Sequence, residues 1–217
     1  MVFINTHTHA RVHDAKIELV NLMPGAIEKP DYYSYGIHPW HIDATHWEHQ
    51  LNELRLAINE KRCLAIGECG LDKLSSTDFQ LQLKVFEKQV LLANEIKKPL
   101  IIHCVKAFNE LMNVLNQLDN AMPVVIHGFN NNENIARVLL DYGCYFSFGK
   151  ALLGYESNAA KALKSVGRKR FFLETDDADV SIKYIYHKAA DLLGVDEAIL
   201  KQQVAMNFES VFNLTVT

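Results

Sequence analysis

The sequence predicts an α/β protein: a parallel (β/α) barrel, abbreviated or distorted, of about seven or eight strands. Three observations predict it. Apolar runs of strand length alternate with amphipathic helical stretches along the whole chain, the pattern of a parallel sheet with helical returns. Five of the runs end in residues able to ligate a metal: Val2 to His9 (VFINTHTH), Cys63 to Asp72 (CLAIGECGLD), Leu100 to His103 (LIIH), Val124 to His127 (VVIH) and Phe171 to Asp176 (FFLETD). Finally, 217 residues, 49% of them apolar, can bury one large core, and eight units of about 27 residues lie near the short limit of such barrels. A single domain is therefore drawn over residues 1–217. An open doubly wound sheet is the alternative, but it brings ligands from distant strands to one point less readily.

After the first strand, Ala15 to Leu22 alternates, with Ile17, Leu19, Val20 and Leu22, and reads as a second strand; a helix is its rival. Tyr33 to Ile37 reads as a third, reached across a loop holding Pro24, Gly25 and Pro30 that is too broken for a crossover helix. Asp43 to Asn59 places Trp47, Leu51, Leu54 and Ile58 on one helical face. Thr77 to Lys97 is the clearest helix. Phe79, Leu83, Phe86, Val90 and Ala93 form its inner stripe, and Thr77 with Gln80 suggests a capping box. Further helices are expected over Lys106 to Leu118, Asn132 to Tyr142, Ser157 to Val166, Ile182 to Leu193 and Val195 to Phe212. Gly143 and Gly194 stand where helix ends need them. Strands ending at Gly149 and Asp176 complete the sheet.

Charge and cysteine usage narrow the class of function. With 22 Lys+Arg against 26 Asp+Glu the net charge is −4, so no global basic field draws the chain onto nucleic acid. Cys63, Cys69, Cys104 and Cys144 form no C-x-x-C pair and sit in or beside apolar runs, which suggests reduced thiols in a cytoplasmic protein. No leader pattern and no apolar stretch of about 18 residues is present, so neither secretion nor a membrane association is expected. A monomer is expected.

The chemistry begins at His7 and His9, which project from the same face of a strand because they are two residues apart. Glu68, His103, His127 and Asp176 follow at later strand ends. Singly, each reads as an ordinary polar residue satisfied in the core; at successive strand ends together they read as a metal centre at one rim. An unpaired carboxylate such as Glu68 inside a barrel would be costly, and a divalent cation removes the cost. Mixed imidazole and carboxylate donors suit zinc, manganese, iron or nickel, whereas magnesium prefers fewer nitrogens. Six ligands exceed the usual four of one zinc, so two divalent ions sharing Glu68 as a bridge are expected. Asp176 could orient the attacking water or accept its proton.

These residues resemble the TatD-related metal-dependent hydrolases of the wider amidohydrolase group. NTHTH resembles the family's D-x-H-x-H opening, YGIHPWH its G-x-H-P segment, GECGLD its G-E-x-G-L-D signature, IIHC and VIHGF its two later histidine strands, and LETD its E-T-D. Met206, Asn207 and Phe212 resemble its closing helix. The resemblance implies a TIM-type barrel and a two-metal phosphodiesterase, often a deoxyribonuclease, with DNA or a short oligonucleotide as substrate. It implies that His7, His9, Glu68 and Asp176 hold one metal and Glu68, His103 and His127 the other, with His38 facing the substrate.

Some positions depart from the pattern. Asn5 replaces the usual aspartate, which would weaken the electrostatics behind the ligands without removing one. Lys73, Leu74 and Ser75 follow G-L-D, and Val105 and Lys106 follow the first I-H, where aromatic and arginine residues are common in the family. Arginine forks suit phosphate, so hydrolysis of a small ester, amide or lactone is an alternative, and a degenerate binding barrel a third. Lys73, Lys106 and Lys150 are the candidates to replace the arginines. Trp40 and Phe129 read as pocket walls, with core packing as the alternative, and Asp72 and Glu174 as partners standing behind ligands. His41, His46 and His49 read as a solvated face, and His13 and His187 as surface residues.

Overall fold

The computed structural model describes residues 2–26, 29–154, 156–167 and 169–216. In chain order the strands and helices among them are β1 (Ile4–Thr8), β2 (Ile17–Leu22), β3 (Tyr32–Tyr35), α1 (Trp47–Ala57), β4 (Cys63–Asp72), α2 (Phe79–Ile96), β5 (Leu100–Val105), α3 (Phe108–Gln117), β6 (Val124–Ile126), α4 (Glu133–Tyr142), β7 (Tyr145–Phe148), α5 (Asn158–Val166), β8 (Phe171–Leu173), α6 (Ile182–Leu193) and α7 (Glu197–Phe212). The strands follow chain order in the sheet, from β1 to β8. The chain groups into two compact units, residues 1–20 with 125–217, and residues 21–124.

In the first unit, β1 pairs in parallel with β2 through Ile4 with Ile17 and Thr8 with Val20. The run β6, β7, β8 is parallel as well, with Ile126 opposite Phe146 and Phe148 opposite Leu173. A bridge between Thr8 and Asp176 brings the first strand against the end of the last. β6 and β8 are short apolar runs, VVI and FFL, buried at every residue, as a helix-wrapped parallel sheet requires. The Phe172, Phe208 and Phe212 rings pack α7 onto β8, and the buried Tyr186 hydroxyl on α6 donates to the Ile4 carbonyl at 3.1 Å. Asn132, Ser157, Ser181 and Asp196 cap α4 to α7 with their side chains, each such cap worth about 1 kcal/mol. Gly143 and Gly194 end α4 and α6 in the left-handed conformation, as expected.

In the second unit, β3, β4 and β5 are parallel, and β4 is buried along its whole length. The register slips between Ile66 and Cys69, where Glu68 lies. Two expectations need correcting here. The Thr77–Gln80 box does not form: Asp78 caps α2 by accepting the Leu81 N–H at 2.9 Å, while the Thr77 carbonyl receives Gln82 Nε2. The helix expected from Asp43 starts at Trp47, because the Asp43 carboxylate takes the N–H groups of Thr45 and His46 and closes a turn first. Among the described residues no helix is long and apolar enough to cross a membrane.

Candidate metal centre

The ligand residues expected from the sequence come from both units: His7, His9, His127 and Asp176 from the first, Glu68 and His103 from the second. In the first unit β1 delivers His7, which is buried, and the bend just after it carries His9, which is 38% exposed. Their Nε2 atoms lie 3.6 and 3.2 Å from Asp176 Oδ1. The His127 ring stands 4.4 Å from that of His7, and donor atoms of His7, His127 and Asp176 all lie within 4.8 Å of one another. Asp176 has φ of 55°, a left-handed conformation that aspartate tolerates better than most residues. Its N–H donates to the His7 carbonyl at 3.0 Å and its carbonyl accepts the His9 N–H at 3.1 Å, which ties the carboxylate to the segment carrying both histidines. Burial alone would raise the Asp176 carboxyl, but hydrogen bonds from His7 and His9 outweigh it and hold the group well below the usual carboxylate range.

Two residues stand behind this group. Glu174, fully buried, places Oε1 3.5 Å from His127 Nδ1 and accepts the Gly128 N–H at 2.7 Å. Asn5 accepts the Thr175 N–H at 3.1 Å and donates to the Thr175 hydroxyl at 2.8 Å, fixing the residue before Asp176. The amide serves both ends of that contact, its oxygen accepting and its NH2 donating.

In the second unit, Glu68 Oε1 lies 3.0 Å from both His38 Nε2 and His103 Nδ1. The opposite nitrogen of His103 faces Asp72 Oδ2 at 3.3 Å. Asp72 is itself held by Trp40 Nε1 at 2.6 Å and the Leu74 N–H at 2.7 Å. Burial pushes the Asp72 carboxyl up, and the Trp40, Leu74 and His103 contacts pull it below its ordinary value. His38 Nδ1 accepts the Trp40 N–H at 3.1 Å, so a neutral His38 carries its proton on Nε2 and donates toward Glu68. Burial lowers the His38 pKa, favouring that neutral form, although Glu68 opposes the shift.

Close backbone approach makes this geometry possible. Gly70 has φ of 139°, and a Cβ there would stand 2.0 Å from the His103 carbonyl oxygen. Gly67, on the other side of Glu68, would press a Cβ to 2.6 Å from the Ile101 carbonyl oxygen. Only glycine lets β4 and β5 carry Glu68 and His103 this near each other.

The donor sets fit divalent cations on this structure's own evidence. His127 turns Nδ1 toward the buried Glu174 carboxylate, and His103 stands between two carboxylates, Nε2 toward Asp72 and Nδ1 toward Glu68, so each imidazole is aimed by an acidic partner as metal-ligating histidines commonly are. His7, His127 and Asp176, and separately His38, Glu68 and His103, are grouped closely enough to hold an ion.

The residues expected around the ligands take varied places. Trp40 is 57% exposed, whereas Phe129 is 2% exposed and packs edge-on against Phe146 and Phe148 in the core. His13, His41, His46, His49 and His187 are all exposed. Lys73 pairs with Glu110 at 2.5 Å and Lys150 with Asp177 at 2.8 Å. Sequence reasoning missed three polar clamps. Asn21 accepts the Glu68 N–H at 2.7 Å and donates to its Oε2 at 3.4 Å. Gln82 and Gln89, buried on α2, hold the backbone of Asp72 and of Ile37, the latter next to His38. Their seven-residue spacing on an apolar face was the available signal.

The family described as TatD related DNase matches residues 2–213. The chain belongs to the TatD-related DNase family. An uncharacterised metal-dependent hydrolase of Buchnera aphidicola subsp. Baizongia pistaciae is 29% identical over 197 residues, covering 83% of this chain and 74% of that relative. A 3'-5' ssDNA/RNA exonuclease TatD of Pantoea ananatis is 27% identical over 201 residues, covering 82% and 76%. Among solved structures, the TatD homologue YjjV of Escherichia coli matches with a TM-score of 0.85 at 20% identity, over 98% of both chains. That likeness shows the fold, a TIM-type barrel of eight parallel strands with alternating helices.

Proposed function

We propose that the chain is a metal-dependent nuclease that hydrolyses phosphodiester bonds in single-stranded DNA or RNA. The observation that carries it is the pair of imidazoles, His103 and His127, each backed by a buried carboxylate and each grouped with a carboxylate ligand, Glu68 or Asp176. The family and the exonuclease name of the Pantoea relative support the substrate class. His7, His9, Glu68, His103, His127 and Asp176 would hold two divalent ions, zinc, manganese or nickel before magnesium, with Glu68 as the bridge. Bound cations would supply an activated water and charge neutralisation at the phosphoryl oxygens.

The chain's own side chains do the rest. The Asp176 carboxylate, held ionised, would accept a hydrogen bond from the attacking water and so orient it. His38 directs its Nε2–H at Glu68 Oε1, 3.0 Å away, and so helps to hold that carboxylate in place. Asn5 and Thr175 keep Asp176 in place, and Asn21 keeps Glu68. The four cysteines are free, and Cys63, Cys69 and Cys144 are buried, which supports a reducing, cytoplasmic setting.

The test is metal analysis joined to a substrate panel. Wild type should contain divalent metal and cleave single-stranded oligonucleotides, and Glu68→Gln should lose both metal and rate. Stoichiometric metal in Glu68→Gln with rate intact would refute the bridging role. A second reading, hydrolysis of a small ester or amide at the same centre, draws on the ion pairs that occupy Lys73 and Lys150. It predicts turnover of chromogenic esters that His103→Ala removes, with oligonucleotides left uncut.

A further inference from the structure

Trp40 is a large aromatic side chain left 57% exposed yet held in one orientation. Its Nε1–H donates to Asp72 Oδ2 at 2.6 Å, and its ring stands edge-on to His38 at 4.9 Å and to His103 at 5.5 Å. A solvated indole with three fixed contacts has little entropy left to lose on binding. Together with Asp72, Leu74, Ser75, Ser76 and Val105 it lines an open cavity of about 440 Å³. Leu74 is 66% exposed, so two adjoining apolar groups face water here.

We infer that this cavity is a subsite for one unpaired nucleobase, stacked on the Trp40 indole. The inference rests on the nuclease reading and deepens it. No lining residue is a cation and the single charged one, Asp72, is an anion, so the subsite is unsuited to phosphate. A base offers what the lining can take: a flat polarisable face for the indole and aliphatic contact for Leu74 and Val105. Its location supports the same occupant. Asp72 Oδ2 contacts both Trp40 and His103, so the cavity adjoins the Glu68–His103 ligand pair where the scissile phosphate would be held. The group next to a phosphate along a nucleic acid is a sugar with its base. Stacking on an indole is indifferent to base identity, so this subsite selects unpaired nucleotides and not a sequence.

The probe is a set of phosphorothioate hexadeoxynucleotides that resist cleavage, each with 2-aminopurine at one position, and a matching set with an abasic residue there. At one position the wild-type protein should quench 2-aminopurine emission, and an abasic residue at that position should weaken binding about tenfold. Trp40→Leu should abolish the quenching and bind the intact oligonucleotide about tenfold more weakly, with no further loss on the abasic one. Trp40→Phe, which keeps a ring, should bind between wild type and Trp40→Leu. Quenching at no position, or abasic and Trp40→Leu losses that simply multiply, would overturn the subsite while wild type still cleaves ordinary oligonucleotides, and the nuclease reading would stand. Wild type that neither binds nor cleaves any oligonucleotide would overturn both.

Discussion

Replacing Gly70 by alanine puts the construction of the second ligand group under direct load. The added Cβ would lie 2.0 Å from the His103 carbonyl oxygen, 3.0 Å from its carbonyl carbon and 3.2 Å from its nitrogen. All three are backbone atoms of β5, so no rotamer change relieves the contact. Overpacking of this kind costs about 1–3 kcal/mol, and holding alanine at φ of 139° adds about 1–3 kcal/mol. The sum, about 2–6 kcal/mol, is a large part of the ~5–15 kcal/mol that holds a domain together. With a urea dependence of ~2 kcal/mol per molar, the unfolding midpoint followed by circular dichroism should fall by about 1–3 M. Gly194→Ala is the control: its φ is 63° and nothing lies within 4 Å of the added Cβ, so it should cost only about 1–2 kcal/mol. Metal content should fall in Gly70→Ala alone, since relief of the clash separates His103 from Glu68. A Gly70→Ala midpoint equal to that of Gly194→Ala, with metal retained, would refute the argument that backbone proximity builds the site.

Asn21→Leu should leave the buried Glu68 N–H without its acceptor and lower metal affinity or activity about 10–100-fold, read by metal titration and oligonucleotide cleavage. Asp72→Leu removes the carboxylate behind His103 and the anchor of Trp40, so both metal affinity and oligonucleotide affinity should drop, whereas Glu174→Gln should alter metal affinity alone. Burial pushes the Cys63 thiol up to about 11 and the Cys144 thiol up to about 12. At pH 8 both should resist an aromatic disulfide reagent until urea unfolds the chain. Because the folded protein holds these protons more tightly than the unfolded one, their contribution to stability is complete below about pH 8.5 and is lost as pH rises toward 11 and 12. Unfolding midpoints that do not fall between pH 8.5 and 11 would contradict this.

The alternation of apolar runs and helices was legible because each strand is buried on both faces, and β4 was legible to the residue, Cys63–Asp72. The identity of β2 was legible from its alternation, since Leu19 is buried and its charged or polar neighbours Glu18 and Asn21 are drawn inside by specific partners. Helix starts were less legible. Capping depends on which side chain reaches a free N–H, and Thr77 and Asp78 both qualify by composition; the backbone turned one residue later than the box pattern suggested. Phe129 shows the same limit at the site. A ring just past a strand end can wall a pocket or fill the core, and only the positions of Phe146 and Phe148 put it in the core.

What escaped the sequence was the apparatus that aims the ligands. Metal-ligating side chains announce themselves because imidazole and carboxylate are costly at the end of an apolar strand. A buried amide carries no such signal, since its cost is met locally by backbone groups. Gln89 closes a two-bond ring with Ile37, and Gln82 does the same with Asp72, so a single face of α2 fixes both the residue before His38 and the carboxylate behind His103. Asn21 repeats the device on Glu68. The ligands of the second group are thus positioned by three uncharged amides. Replacing any of these amides by an apolar residue of similar size would leave the ligands chemically intact and misaimed. The ligand inventory therefore follows from the motifs, but the angle at which His38, Glu68 and His103 meet follows from side chains that no metal-binding motif contains.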